Sequence, residues 1–256
     1  MTTSAFDLTG KVALVTGGNA GIGLAMAEAM AAAGADISIW GSNPDKTAAA
    51  GAQLERHGTG VLALACDVSD EAAVEAATAE TVAKLGRIDA CFANAGVAGR
   101  APSFLEMTAD EWRRVLSVNL DGVFYTFRAA ARRMVEQGDG GALVVTSSLA
   151  SIEGQPRGEH YAASKGGVVS MMRALAVELA RHRIRANAIL PGWIETDMTR
   201  DWMSQDVVQD RVLKRVPARR WGVPEDFAAV AVYLASDASA YHSGDTLLID
   251  GAYALF

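Results

Sequence analysis

An α/β fold built on one doubly wound, all-parallel sheet of seven strands is predicted by three observations. Short apolar runs rich in β-formers alternate with longer helical stretches along the whole chain, the pattern that lays helices on both faces of a parallel sheet. The first such run, Lys11-Val12-Ala13-Leu14-Val15-Thr16, leads directly into Gly17-Gly18-Asn19-Ala20-Gly21-Ile22-Gly23 and then a helical stretch, the strand, glycine loop, helix order that cradles a phosphate. The chain has 256 residues, half of them apolar, enough for one domain, residues 1–256, with a large core.

The elements follow in order. Strands are expected at Lys11–Thr16, Asp36–Trp40, Val61–Ala65, Ile88–Ala93, Ala142–Ser147, Ile184–Leu190 and Thr246–Ile249, each short, apolar and bounded by turn residues. Helices are expected at Leu24–Ala33, Pro44–His57, Asp70–Leu85, Ala109–Gln137, Glu159–Arg181 and Pro224–Ser236. Two carry start signals: Ser42-Asn43-Pro44 offers a cap followed by a first-turn proline, and Asp70 precedes Val74 at helical spacing. Between Trp193 and Trp221 the charge and apolar pattern is mixed, and that segment reads as an inserted lid. No repeat, linker or composition break divides the chain.

The chemistry concentrates at Tyr161-Ala162-Ala163-Ser164-Lys165. A separation of four puts the phenol and the ammonium on one face of a helix. Bringing a phenol from a pKa of about 10 to about 7 takes roughly 4 kcal/mol. A cation about 4 Å away at an effective dielectric of about 20 supplies an effect of that size. Alone, such a pair is more often a surface tyrosine and a solvated lysine. The glycine loop upstream makes the acid/base reading the stronger one.

Together these residues resemble the short-chain dehydrogenase/reductase family, from about Leu8 to the C-terminus. Its TGxxxGxG motif is matched by Thr16, Gly17, Gly21 and Gly23, and its YxxxK motif by Tyr161 and Lys165. Its other marks stand in order: Asp67-Val68 after the third strand, Asn94-Ala95-Gly96 after the fourth, Asn119 within a long helix, Ser148 thirteen residues before Tyr161, and Pro191-Gly192 after the sixth. Ala93 stands where the family often has another Asn. The resemblance implies a Rossmann-type fold and hydride exchange between a nicotinamide cofactor and a secondary alcohol or ketone. Tyr161 then moves the proton, Ser148 bonds the reacting oxygen, Lys165 favours the phenolate and holds the ribose hydroxyls, and Asn119 holds a helix distortion and a relay water. Strand alternation sends Ser147 and Ser148 to opposite faces, and the spacing to Tyr161 selects Ser148.

The resemblance also implies which residues hold the dinucleotide. Gly17, Asn19, Gly21, Ile22 and Gly23 form the loop, and Asp67 and Val68 meet the adenine. Asn94, Ala95, Gly96, Pro191, Gly192, Ile194 and Thr196 complete the cleft with Tyr161 and Lys165. Users of NAD in this family usually carry an Asp at the end of the second strand. That closing position is Gly41 here, followed by Ser42 and Asn43, while Asp36 opens the strand. Without a repelling carboxylate a 2′-phosphate is admitted, so NADP(H) is favoured over NAD(H), which stays open. For the substrate, Ser148, Ala150, Ile152, Gln155, Arg157 and Tyr161 are expected to face Trp193, Met198, Trp202 and Met203 of the lid. Such a wall suits a mid-sized, largely hydrophobic alicyclic or aryl compound. A 3-oxoacyl thioester ranks second and a sugar or polyol behind it. Arg157 offers an anion contact, as for a hydroxy acid, against the plainer reading of an exposed arginine paired with Glu159.

Other classes fit less well. A formal charge of −7 disfavours nucleic acid, and no apolar run is long enough to span a membrane. The start Met-Thr-Thr-Ser-Ala-Phe-Asp lacks signal-peptide character, so a cytoplasmic enzyme is expected. His57, His160, His182 and His242 show no ligand spacing, so no metal is expected. Cys66 and Cys91 read as reduced packing residues in strands that are not neighbours. The cluster Arg181-His182-Arg183-Ile184-Arg185 complements a helix C-terminus. A dinucleotide sensor without activity would lack Tyr161, Lys165 or Ser148, and a nucleotide-sugar epimerase would add a C-terminal substrate domain. The catalytic helix, apolar nearly all round through Val168, Met171, Met172, Leu175 and Val177, asks for cover on two sides. With the resemblance, that implies a homotetramer.

Overall fold

The computed structural model describes residues 5–256, with the side chain of Trp202 outside that description. Strand β1 (Val12–Thr16) leads to helix α1 (Gly21–Ala32), β2 (Asp36–Gly41) to α2 (Pro44–Leu54), and β3 (Val61–Ala65) to α3 (Glu71–Leu85). After β4 (Ala90–Ala93) come α4 (Ala109–Leu116) and α5 (Gly122–Gln137); after β5 (Gly141–Thr146) comes α6 (Glu159–Glu178). Strand β6 (Ile184–Pro191) is followed by α7 (Arg200–Met203), α8 (Asp206–Arg211) and α9 (Ala228–Ala235), and β7 (Thr246–Ile249) closes the sheet.

The sheet order is β3-β2-β1-β4-β5-β6-β7 and every pairing is parallel. Side chains alternate between its two faces. Ala13, Val15, Ile37, Ile39 and Phe92 meet α1 and α9 in one core, while Leu14, Trp40, Cys91, Leu143 and Val145 meet α3, α5 and α6 in the other. Because the chain winds outward from β1 to β3 and then crosses to β4, a crevice opens at the carboxyl ends of β1 and β4. Ligands bind at such a switch point in open α/β sheets.

Helix starts are set by side-chain caps. Asn43 accepts from the Lys46 N–H at 3.0 Å with Pro44 in the first turn. Asp70 accepts from Ala72 and Ala73, standing outside α3 as its cap. Where the structure departs from the sequence expectation, local hydrogen bonding explains it. Ile88 lies outside β4 because its N–H and C=O are both taken by the Gln137 amide, each at 2.9 Å. The single helix expected over Ala109–Gln137 is interrupted by a π-helical segment, Ser117–Asp121, centred on Asn119. The helices expected to run to His57 and Arg181 end in 3₁₀ turns at Glu55–His57 and Leu179–His182, and α9 is entered through another at Pro224–Phe227.

The inserted segment is helical in parts, α7 and α8 with a 3₁₀ turn at Leu213–Arg215. Its two ends are pinned together: Gly222 N–H donates to Trp193 C=O at 2.9 Å and Glu195 N–H to Gly222 C=O at 2.8 Å.

Candidate active site

The glycine loop is tied down by its neighbours. Thr16 Oγ1 accepts the N–H groups of Asn94 and Ala95 at 3.1 and 3.0 Å, while Asn94 Nδ2 donates to the carbonyls of Thr16 and Gly17. The ends of β1 and β4 are thereby buckled together. Asn94 spends its amide on the loop, so its side chain is a strut here. Gly17 and Gly21 have φ of 61° and 52°, and a Cβ at Gly23 would fall on the Gly17 carbonyl. The loop thus brings bare backbone close to the N-terminus of α1, which has neither a side-chain cap bond nor an acidic residue in its first turn. That combination fits a pyrophosphate. Thr196 lies opposite, its Cγ2 3.3 Å from where a Cβ at Gly21 would stand. Ile22 and Ile194 turn into the core, and Gly192 donates its N–H to Ile249.

At the end of β2 the structure revises the expectation for Gly41. This residue is buried, and a Cβ there would run into the Asn19 amide and lie 2.5 Å from Thr47 Oγ1. The space in front of Gly41 is filled, because Asn19 Nδ2 donates to Thr47 Oγ1 at 3.0 Å and Thr47 Oγ1 donates to the Asn43 carbonyl at 2.7 Å. Packing therefore accounts for the glycine. Ser42 and Asn43 remain exposed, with Asn43 Oδ1 committed to its cap. Across the crevice Val68 is buried against Gly122, and Asp67 is exposed with Oδ1 accepting from Ser69 N–H and Oγ.

The residues expected to form an acid/base set converge at the ends of β4 and β5. Ser147 and Ser148 separate as strand alternation demands: buried Ser147 donates to the Lys165 carbonyl at 2.8 Å, while half-buried Ser148 accepts the Ala150 N–H at 3.2 Å and faces the Tyr161 phenol, whose pKa it lowers. Lys165 is buried, its Nζ donates to the Thr146 carbonyl at 2.8 Å, and it lies 5.6 Å from the centroid of the Tyr161 ring. Asn119, fully buried in the π-helical segment, accepts from Val97 N–H at 2.8 Å and donates to Val97 C=O and Ser164 Oγ. The loop after β4 and the catalytic helix are thus joined through one amide.

The electrostatics differ from the sequence argument. Burial pushes the Tyr161 phenol up, and Ser148 pulls it part of the way back down. Burial also lowers the Lys165 ammonium to about 8. The reason is visible in the geometry: Nζ is turned to a carbonyl of β5, and desolvation disfavours both charged forms. The protein alone therefore holds a neutral phenol.

Around this set, Leu149 joins Val216 and Tyr253 in a small apolar cluster with Trp193, Val212 and Leu213 packed against it. Trp193 meets Tyr253 edge-on at 6.0 Å. Met203 is buried, so it gives no exposed wall, while Met198 is 55% exposed. Trp202 falls outside the described side chains. Ala150 donates its N–H to Ser148 Oγ and Gln155 is exposed. Arg157 takes φ of 66°, and its N–H, not its guanidinium, is what Glu159 Oε1 accepts, at 3.1 Å. Its guanidinium makes no ion pair among the described residues.

Some contributors escaped the sequence reading. His160, fully buried beside Tyr161, meets Glu111 Oε1 at 3.2 Å; its neighbour Tyr161 hid it. The Thr146 carbonyl that receives Lys165 leaves no side-chain signal at all. Burial raises Cys66 to about 11 and Cys91 further, and both are free thiols in the core. Arg185 donates to the carbonyls of Leu234 and Ser236 at the end of α9, a structural role at a different helix from the one whose C-terminus its cluster follows. Among the described residues no group of three or more His, Cys, Asp or Glu side chains could hold a metal, and no helix is long and apolar enough to cross a membrane.

Comparison with known proteins shows the family. Residues 17–254 match the family model described as enoyl-(acyl carrier protein) reductase. The 2-dehydro-3-deoxy-D-gluconate 5-dehydrogenase of Escherichia coli is 38% identical over 253 residues, covering 99% of both chains. A short-chain type dehydrogenase/reductase from Mycobacterium marinum superposes with a TM-score of 0.92 at 36% identity, covering 97% of each chain. A gluconate 5-dehydrogenase from Burkholderia cenocepacia, solved with NADP and tartrate, does so at 0.93 and 36%, covering 98% of each. With the seven-stranded parallel sheet, the glycine loop and the Ser148, Tyr161 and Lys165 constellation, these likenesses establish that the chain belongs to the short-chain dehydrogenase/reductase family of oxidoreductases.

Proposed function

We propose that the protein transfers a hydride between a nicotinamide dinucleotide and a secondary alcohol or its ketone. The observation that carries this is the convergence of Ser148, Tyr161 and Lys165 beside an uncapped helix N-terminus and a bare glycine loop. The loop and α1 would hold the pyrophosphate, and Lys165 the ribose hydroxyls. Bound there, the nicotinamide supplies or receives the hydride. The residues handle the rest. In reduction the Tyr161 hydroxyl gives its proton to the carbonyl oxygen, and in oxidation the tyrosinate takes it back. Ser148 orients that oxygen, Asn119 fixes the loop against the catalytic helix, and the segment Trp193–Trp221 closes as a lid. NADP(H) is the favoured cofactor, supported by the NADP-bound relative and by the absence of an acid at the end of β2. NAD(H) remains admissible.

The apolar cluster of Leu149, Val216 and Tyr253 next to Ser148 supports a mid-sized, largely apolar alicyclic or aryl ketone, with a 3-oxoacyl thioester second. A sugar acid is the competing reading, favoured by the unpaired Arg157 guanidinium and by the relatives that act on gluconate derivatives. A panel of cyclic ketones, acyl thioesters, polyols and sugar acids with both cofactors separates them. Higher kcat/KM on sugar acids, lost selectively in Arg157→Ala, would replace the apolar reading. Tyr161→Phe should lower turnover at least about 10²-fold with cofactor affinity nearly unchanged. Near wild-type turnover in that variant would remove Tyr161 from the chemistry.

A further inference from the structure

Resting on the cofactor reading above, we infer that Lys46 reads the 2′-phosphate of the dinucleotide by exchanging an ion pair with Asp197 for it. A cavity of about 250 Å³ lies between the glycine loop, α2 and the inserted segment, lined by Asn19, Ala20, Lys46, Gln53 and Asp197 among others. That volume exceeds what a phosphate group needs. Lys46 is the only cation among the described residues lining it. Its position follows from the cap at Asn43, which fixes the first turn of α2 and sends residue 46 toward Asn19.

The charges are arranged for exchange. Lys46 Nζ is 3.6 Å from Asp197 Oδ2, both side chains are about 60% exposed, and a pair so open to water is weak. Asp197 has a second partner, since Arg200 Nη1 lies 3.2 Å from its Oδ1. Lys46 can therefore leave without stranding a carboxylate. Gln53 is already committed to Glu28 at 2.6 Å and Asn19 Nδ2 to Thr47, so the positive charge for a phosphate must come from Lys46. A phosphate dianion offers it a stronger, charge-assisted partner. The pyrophosphate is served separately by the backbone of the loop and α1, so a group on α2 is placed for a phosphate beyond it. Asp197 opposes that phosphate at short range, which makes the exchange a source of discrimination: only a ligand able to outcompete Asp197 draws Lys46 away.

The test is calorimetric binding of three fragments, 2′,5′-ADP, ADP and AMP, to the full-length protein. Wild type should bind 2′,5′-ADP at least tenfold more tightly than AMP. Lys46→Ala should weaken 2′,5′-ADP at least tenfold and leave ADP and AMP within twofold; Lys46→Arg should recover most of the loss. Asp197→Asn should tighten 2′,5′-ADP, and should tighten it less once Lys46 is gone, when only the direct repulsion is relieved. Equal losses for ADP and 2′,5′-ADP would assign Lys46 to the pyrophosphate and overturn the proposal. So would discrimination that survives Lys46→Ala, although the cofactor reading would then stand. Wild type that binds none of the three fragments would remove the cofactor reading and this inference together.

Discussion

Replacing Lys165 by Met should raise the stability of the protein at neutral pH while abolishing its chemistry. Lys165 titrates near 8 in the fold instead of the ordinary 10.5, because it is buried. That gap corresponds to about 3 kcal/mol carried by the folded state while the ammonium is charged. Met fills the same volume without the charge. It also leaves the Thr146 carbonyl, 2.8 Å from Nζ, without its donor, which costs about 1–3 kcal/mol. The net gain at pH 7 is therefore about 0–2 kcal/mol, or up to roughly 8 °C in Tm. The pH dependence is sharper than the absolute value. Below pH 8 the lysine is protonated in both states and the folded chain bears the full cost. Between 8 and 10.5 the unfolded chain keeps a proton that the fold has shed, so wild-type stability from this group rises with pH. The advantage of Lys165→Met should thus shrink from pH 7 to pH 10 and reverse sign. Thermal melts of both proteins across that range, read as a difference, cancel the other titrating groups. A difference in Tm that does not change with pH would show that Lys165 is not a desolvated ammonium in the fold.

Two further outcomes test the packing. Gly41→Asp should lower Tm by several degrees instead of cleanly switching cofactor, because its Cβ collides with the Asn19–Thr47 bond and overpacking costs about 1–3 kcal/mol; an unchanged melt with preference moved to NAD would place that position at the ribose after all. On assembly, Val177 is 82% and Phe124 43% exposed in the lone chain while Met171 and Leu175 are half-covered, so light scattering should give a tetramer, and a 26.8 kDa particle at micromolar concentration would refute the interface.

The parts of this molecule that were legible in the sequence are those fixed by local rules. A strand of alternating faces must end before its glycine loop, Pro44 must follow a cap, and residues four apart in α6 must share a face; each of these is a statement about neighbours in the chain. The π-helical interruption at Asn119 was anticipated through the family, yet its cause lies elsewhere: Val97, 22 residues away, offers the N–H and C=O that pull the amide inward. Gly41 shows the same limit from the other side. Read along the chain it is a missing acid, whereas in space it is the floor beneath Asn19.

The largest difference concerns the tyrosine itself, and it changes how the mechanism must work. Spacing alone put a cation beside the phenol, with an effect large enough to bring its pKa toward about 7. In the fold both groups are desolvated, Lys165 faces a backbone carbonyl, and the neutral phenol is favoured. A neutral phenol is already the proton donor that ketone reduction requires, so that direction needs no rearrangement. Alcohol oxidation needs the phenolate, which burial of Tyr161 disfavours in this fold. If Lys165 holds the ribose hydroxyls as proposed, its Nζ has to leave the Thr146 carbonyl for them, and that shift is the expected source of phenolate stabilisation in oxidation. The pH profile of the oxidative direction should then report the Lys165–Tyr161 pair with cofactor bound, while reduction should show little dependence below the titration of Lys165.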